Sequence, residues 1–153
     1  MTITKEELQQ RSNEMISWVK YLNKLPEDKW RVQIAKGKWT IAEIIAHLSE
    51  WDSFLIHSRL SIPNGNFPNT PDVDEFNSIA AKYGREESKE KVINDFVENR
   101  NKLIHLLNSF EENDLNKPFY KSYSILEYLG GFIEHDLHHK KQVVDVIGEW
   151  NHE

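Results

Sequence analysis

The sequence predicts an all-α protein, an antiparallel four-helix bundle with a long connection between its second and third helices. Four stretches of about 20 residues carry apolar side chains at helical spacings of three and four. A dense cluster of turn residues separates the second stretch from the third. Amphipathic helices of this length bury their apolar faces best against one another, and 153 residues suit a single core. We therefore expect residues 1–153 to form one domain.

The first two long helices are each predicted to begin at a capping box, in which a hydroxyl and a carboxylate satisfy each other's backbone N–H groups. Thr4 and Glu7 form the first box, and this helix is expected to cover residues 4–23. Thr40 and Glu43 form the second box. That helix is expected to end before residue 63, which is a proline.

The connection after the second helix is unusually long. Residues 63–71 are rich in proline and asparagine and are predicted to form a loop. A short helix is expected over residues 72–83, with Gly84 as its stop. The connection exceeds the two to eight residues usual in bundles. This connection is therefore either a long crossover or a lid over a site. Elsewhere in the chain, as here, the sequence gives little support for a strand.

The last two long helices are predicted over residues 88–108 and 124–150, and the fourth begins at a capping box formed by Ser124 and Glu127. Gly130 and Gly131 lie inside the fourth helix, where each weakens it by roughly 1 kcal/mol. The pair indicates either that another group approaches the backbone closely or that the helix makes a tight contact or a kink there.

Composition and charge exclude several classes of protein. The formal net charge is -6, with Lys and Arg interleaved with acids, which argues against nucleic-acid binding. No apolar stretch approaches the ~20 residues that cross a bilayer, and the N-terminus lacks the pattern of a signal peptide. We therefore expect a cytoplasmic protein with no membrane partner. Because the chain has no cysteine, any metal must bind to nitrogen and oxygen.

Histidines are the candidate metal ligands. His135 and His139 lie four residues apart on the fourth helix, so their imidazoles share one face and can converge on one ion, whereas His138 points away. The alternative is that these are solvated or core histidines. His47, on the second helix, is the best third ligand, although alone it is more typical of a boundary histidine. The remaining histidines lack a partner at ligand spacing or lie at the chain end: His57, His105 and His152.

Two motifs resemble those of a known family. Residues 37–52 read GKWTIAEIIAHLSEWD and resemble the second-helix signature of the DinB-like superfamily. Residues 134–142, EHDLHHKKQ, resemble its fourth-helix signature, and residues 107–115, LNSFEENDL, match its usual turn between the third and fourth helices. The motifs occur in the right order and at the right distance, and the resemblance spans almost the whole chain.

The resemblance implies a four-helix bundle with three histidine ligands, one on the second helix and two on the fourth. In this sequence they are His47, His135 and His139. It further implies a divalent ion such as nickel or zinc, and a homodimer. Characterised relatives include bacillithiol and mycothiol S-transferases and the mycothiol-dependent maleylpyruvate isomerase. The leading hypothesis is therefore metal-dependent transfer of a low-molecular-weight thiol to a small electrophile, in which the ion favours the thiolate form.

Two other functions remain open. A metal-dependent hydrolase would need a general base, for which Asp136, Glu50 and Asp52 are the candidates. Asp136 lies in the apolar arc of its helix, where it would either orient a ligand imidazole or pair with a polar group on a neighbouring helix. Glu50 and Asp52 are more typical of surface or capping charges. A non-catalytic small-molecule or metal-binding protein is the other alternative.

The candidate walls of a substrate pocket are the loop 63–71 and three tryptophans. These are Trp30, Trp39 and Trp51. The alternative is that they are ordinary core and surface residues, which is the better interpretation for Trp39 and Trp51.

Overall fold

The computed structural model describes residues 3–149. Its main elements are four long helices, with a shorter helix between the second and the third. The helices are α1 (Lys5–Tyr21), α2 (Ile41–Leu55), α3 (Val73–Glu86), α4 (Lys89–Ser109) and α5 (Ile125–Ile147). A π-helical turn, Ile56–Leu60, extends α2, and single turns lie at Leu22–Lys24, Glu27–Trp30, Pro63–Gly65 and Glu112–Asn116. The predicted all-α bundle is confirmed. The predicted end of the fourth helix at residue 150 and His152 lie outside the described residues.

Two of the three predicted capping boxes are complete. At the start of α2, Thr40 Oγ1 accepts a hydrogen bond of 3.1 Å from the Glu43 N–H, and the Glu43 carboxylate accepts one of 3.0 Å from the Thr40 N–H. The box that opens α5 contains the same two bonds. The box at α1 is half formed, because the Glu7 carboxylate accepts from the hydroxyl of Thr4 rather than from its backbone N–H.

The core consists of two apolar clusters separated by a buried polar layer. The first surrounds Trp18, Trp30 and Phe96, and the second surrounds Leu107 and Leu129. α2 packs between α3 and α4, while α1 packs against α4 and α5. Several buried polar side chains lie between the two clusters along their helices, among them Ser12, Asp52, Arg100 and Asp136. Within residues 3–149, no helix is both long and apolar enough to cross a membrane.

Two predictions about local structure are wrong. Gly84 does not stop α3, which continues to Glu86; instead it packs against α2. A Cβ atom at Gly84 would lie 2.8 Å from the carbonyl oxygen of Ala42. Pro118–Tyr120 and Tyr123–Ser124 form a small antiparallel hairpin, β1 and β2. Strands this short carry too little alternation for the sequence to reveal them.

The glycine pair in α5 serves two different purposes. A Cβ atom at Gly130 would lie 3.2 Å from Ile3 Cγ2, so this glycine allows the N-terminal segment to approach closely. A Cβ atom at Gly131 would meet no atom within 4 Å, so packing does not account for the missing side chain.

Gly84→Ala is expected to destabilise the protein by about 1–3 kcal/mol, because the added methyl group forces α3 away from α2. The matched control is Gly131→Ala, also in a helix interior. It is expected to stabilise the protein by up to about 1 kcal/mol, since alanine favours helix and the space is free. Urea unfolding of both variants checks the pair. Equal effects would show that the α2–α3 contact is looser than described.

Candidate metal centre

Three histidines from two helices converge at one point in the bundle. His135 Nε2 lies 3.2 Å from His47 Nε2 and 3.1 Å from His139 Nε2. One ring nitrogen from each histidine lies within 4.8 Å of those of the other two. The four-residue spacing in α5 places two of the rings on one face of that helix, nearly perpendicular to each other, and α2 supplies the third. The structure thus brings together the three predicted ligands; that they hold a metal stays a prediction.

This geometry fits a shared metal ion better than a hydrogen-bonded cluster. His135 Nε2 carries either one proton or one lone pair in the ring plane, so it cannot pair well with two other nitrogens. Three nitrogen ligands at about 2.0–2.1 Å from a tetrahedral ion lie roughly 3.3 Å apart, close to both measured separations. An all-imidazole donor set suits zinc, nickel, copper or iron.

Gln142 fixes the orientation of one imidazole. Its side-chain oxygen lies 2.7 Å from His139 Nδ1 and accepts a hydrogen bond from the Nδ1–H group. His139 Nε2 is therefore left with its lone pair directed at the other two histidines, as a metal ligand requires. Sequence reasoning assigned no role to Gln142. Its position one helical turn after His139 was the signal that could have identified it.

Burial keeps the three imidazoles neutral. Loss of solvation, with the neighbouring His139 and His135, lowers the pKa of His47 to about 3. Loss of solvation also lowers the pKa of His139 to about 4, against the opposing effect of its bond to Gln142. The pKa of His135 is lowered mainly by burial as well. At neutral pH all three are therefore in the form that binds metal.

A cavity of about 270 Å³ lies beside the histidines. Its walls are mostly apolar and aromatic, with one amide and one phenol: His47, Trp51, Val73, Asn77, Tyr128, Gly131, Phe132 and His135. The Trp51 indole N–H donates to the Asn77 side-chain oxygen at 2.9 Å, which fixes this part of the wall. The cavity is large enough for a small organic ligand.

The predicted pocket walls are only partly correct. Trp51 lines the cavity, and Trp39 packs on the His47 ring at a centroid distance of 4.8 Å, whereas Trp30 is fully buried in the core. Among the described side chains of the loop 63–71, none lines the cavity. The loop instead packs on the hairpin, with Phe67 against Phe119 at 5.2 Å. The loop is therefore not a lid, whereas α3, the helix in the same connection, contributes Val73 and Asn77 to the cavity wall.

Arg100 forms ion pairs with two of the three candidate general bases. Its guanidinium bonds the carboxylate of Asp52 at 2.7 and 3.0 Å and that of Asp136 at 2.7 and 3.0 Å. Asp136 therefore pairs with a polar group on a neighbouring helix, the second of its two predicted roles. The interpretation of Asp52 as a surface or capping charge is wrong, because it is buried at 3% exposure.

Glu50 is half-buried and does not line the cavity. Burial raises its pKa, and the nearby Asp95 carboxylate adds to this effect. Among the described residues, no carboxylate lines the cavity beside the histidines.

The metal-free protein is expected to lose about 2 kcal/mol or more of stability between pH 7 and pH 5. The folded pKa values of His47 and His139 lie below the unfolded value of 6.5, so the unfolded chain takes up protons that the folded protein excludes. Each contributes about 2 kcal/mol of destabilisation down to pH 5. Burial raises the pKa of Asp52 to about 6, so its protonation in the folded protein offsets part of this loss.

Urea unfolding of metal-free protein at the two pH values checks this prediction. His139→Gln, which removes one of the two groups, should show a smaller loss, and His138→Ala, at an exposed position, should behave like wild type. Equal stability at both pH values would contradict the burial of neutral imidazoles.

One class of helical bundle builds ligand and metal sites from side chains on facing helices. This protein, in which two helices direct three histidines to one point, belongs to that class. The chain belongs to the DinB superfamily, whose family model matches residues 6–143. The family suggested by the two motifs is thus confirmed. No curated protein sequence matches the chain.

Two solved structures are similar to this one. YfiT from Bacillus subtilis, described as a probable metal-dependent hydrolase with an unusual four-helix bundle topology, has a TM-score of 0.74 and 16% sequence identity. The match covers 95% of this chain and 88% of YfiT. A Streptococcus pneumoniae protein has a TM-score of 0.79 and 15% identity, covering 95% of this chain and 92% of its own. At these identities the likeness shows the fold alone.

Proposed function

We propose that this protein is a divalent-metal-dependent enzyme that transfers a low-molecular-weight thiol to a small electrophile. The observation that carries the proposal is that three neutral imidazoles meet beside an apolar cavity without a carboxylate in its described walls. Such a site suits a reaction that needs a metal and an apolar pocket but no carboxylate base. Nickel and zinc are the ions proposed for this donor set.

His47, His135 and His139 would hold the divalent ion, which would favour the thiolate form of a bound thiol at neutral pH. The reaction forms a carbon–sulfur bond, expels the leaving group of the electrophile and releases the thiol proton to solvent. The protein's part is to hold the reactants. Trp51 and Phe132 pack against an apolar electrophile and exclude water, and Gln142 holds His139 in its ligand orientation.

Metal-dependent hydrolysis is the second candidate, and the likeness to YfiT favours it. A hydrolase of this kind usually needs a base near the attacking water. Asp52 and Asp136 are bound to Arg100, and Glu50 does not line the cavity. Thiol transfer therefore ranks first. A non-catalytic binding protein, with or without a metal, would keep the cavity but show no turnover.

The test uses protein purified without a histidine tag and loaded with nickel or zinc. Bacillithiol, glutathione and coenzyme A are each supplied with a chloronitrobenzene or bimane electrophile, and thiol consumption is measured. We expect turnover with at least one thiol in wild type and in His138→Ala, but not in His135→Ala. Hydrolysis of nitrophenyl esters without thiol turnover would favour the second candidate, and no turnover of either kind would favour a binding protein.

A further inference from the structure

Arg59 is a buried cation without an acidic partner in the described part of the chain. It lies in the π-helical turn after α2 and is 1% exposed. Arg100, which is also buried, pairs with the carboxylates of Asp52 and Asp136, whereas the buried Lys89 donates to the carbonyl oxygen of Leu25. The salt bridges of residues 3–149 do not include Arg59. A buried charge without a counter-charge is costly, so its presence needs an explanation.

Aromatic rings and two neutral acceptors surround the guanidinium. Its central carbon lies 4.7 Å from the Phe54 and Tyr120 ring centroids and 5.1 Å from that of Phe67. One terminal nitrogen donates to the Ser58 carbonyl oxygen at 2.8 Å, and the other to Thr70 Oγ1 at 3.0 Å. Nε has no partner. These groups hold the guanidinium in place but do not neutralise it.

Two tyrosines connect this cation to the cavity beside the histidines. The Tyr120 ring, on which Arg59 packs, lies 5.1 Å from the Tyr128 ring, and Tyr128 is a wall of the cavity. Arg59 acts on both phenols. The bond to Thr70, together with Arg59, lowers the pKa of Tyr120. Burial raises the pKa of Tyr128 against the effect of Arg59, so Tyr128 stays a neutral hydrogen-bond donor at neutral pH.

The cavity itself offers nothing that would repel an anion. Its described walls contain no acid. The charged group next to this wall, on the far side of Tyr128 from the cavity, is therefore the guanidinium of Arg59. Its surroundings screen the positive charge less than water does. Trp51 and Phe132 provide the apolar faces for the rest of a ligand.

We propose that the cavity binds a small anionic ligand with an aromatic or aliphatic body, whose carboxylate or similar group lies at the Tyr128 end in the field of Arg59. The Tyr128 hydroxyl donates to the anion, and the body packs against Trp51 and Phe132. The inference rests on the proposed function only in taking the cavity as the substrate pocket. It predicts that electrophiles with a negative charge bind more tightly than neutral electrophiles of the same shape.

The test compares benzoate with benzamide, which have nearly the same shape and differ in charge, by isothermal titration calorimetry at pH 7.5. The protein is metal-free, so that direct coordination of benzoate by an ion plays no part. Wild type is expected to bind benzoate at least about tenfold more tightly than benzamide, the size of one charge-assisted hydrogen bond. Arg59→Met, which keeps the length of the side chain and its contacts with the rings, should remove this preference.

Two further variants keep the test decisive. Tyr128→Phe should reduce the preference for benzoate without changing the buried cation. If circular dichroism shows that Arg59→Met does not fold, Tyr128→Phe replaces it as the deciding variant. Lys121→Met is the matched control, because Lys121 lies 5.6 Å from the same Tyr120 ring but is exposed to solvent; it should leave the preference unchanged.

Equal affinities of wild type for the two probes would overturn the inference, as would a folded Arg59→Met protein that keeps the preference. Because no metal is present, neither result bears on metal content or thiol turnover. The proposed function fails separately, by the absence of turnover in the metal-loaded protein.

Discussion

His135→Ala is expected to abolish stoichiometric metal binding. His135 Nε2 lies between those of His47 and His139, so its loss leaves two nitrogens from different helices with no third donor between them. Loss of an outer hydrogen-bond partner of a metal ligand costs roughly 10–100-fold in affinity, and loss of a ligand should cost more. Gln142→Leu, which removes only the bond to His139 Nδ1, should therefore fall between this variant and wild type.

Metal content of tag-free protein, measured by mass spectrometry after incubation with nickel or zinc, checks this prediction. His138→Ala is the matched control, because His138 is exposed and lies next to a ligand without belonging to the group. Metal should also raise the melting temperature of wild type and of this control, but not that of His135→Ala. Wild-type protein that takes up neither metal would contradict the prediction and leave a metal-free binding protein as the better interpretation.

Arg100→Met is expected to destabilise the protein by about 3–5 kcal/mol, because it leaves two buried carboxylates without a counter-charge. Asp52 and Asp136 are each 4% exposed or less, so water cannot replace the lost bonds. Acidification should return part of the stability, since protonation removes the buried charges; the loss should therefore grow as the pH rises. Guanidinium unfolding at pH 5 and pH 7 measures both effects.

Two comparisons separate charge from packing at this site. The triple variant Asp52→Asn, Arg100→Met, Asp136→Asn removes all three charges and should recover much of the loss. Lys141→Met breaks the exposed ion pair with Asp145 and should change stability little. If Arg100→Met were no less stable than Lys141→Met, the buried ion pairs would have no structural role.

The four helices and the three histidines could be predicted because their signals are local. Capping boxes, apolar spacing and the four-residue interval between His135 and His139 are all contained in short segments. The pairing of α5 with α2 is not local. His47 and His135 are 88 residues apart, so the sequence pattern could name His47 only as the best third candidate, and the resemblance to the family then implied the full set of three ligands.

The features that the sequence did not reveal depend on what lies opposite a residue in the fold. Asp52 was expected to be a surface or capping charge, but its partner Arg100, which lies 48 residues further along the chain, holds it in the core. The contact of Gly84 with α2 and the burial of Arg59 among aromatic rings have the same origin. Helical periodicity describes one face of one helix and does not identify the residues of the neighbouring helix.

The polar layer between the two apolar clusters also sets the alignment of the helices. A slip of α5 by one turn relative to α2 and α4 would move its side chains by about 5.4 Å and carry Asp136 away from Arg100 into apolar surroundings. Asp136 is the neighbour of His135 in sequence. The position of α5 along the bundle axis that pairs Asp136 with Arg100 is therefore also the position at which the histidines of α2 and α5 meet. The ion pairs of Arg100 thus fix the position of α5 along the bundle axis at which the candidate metal ligands come together.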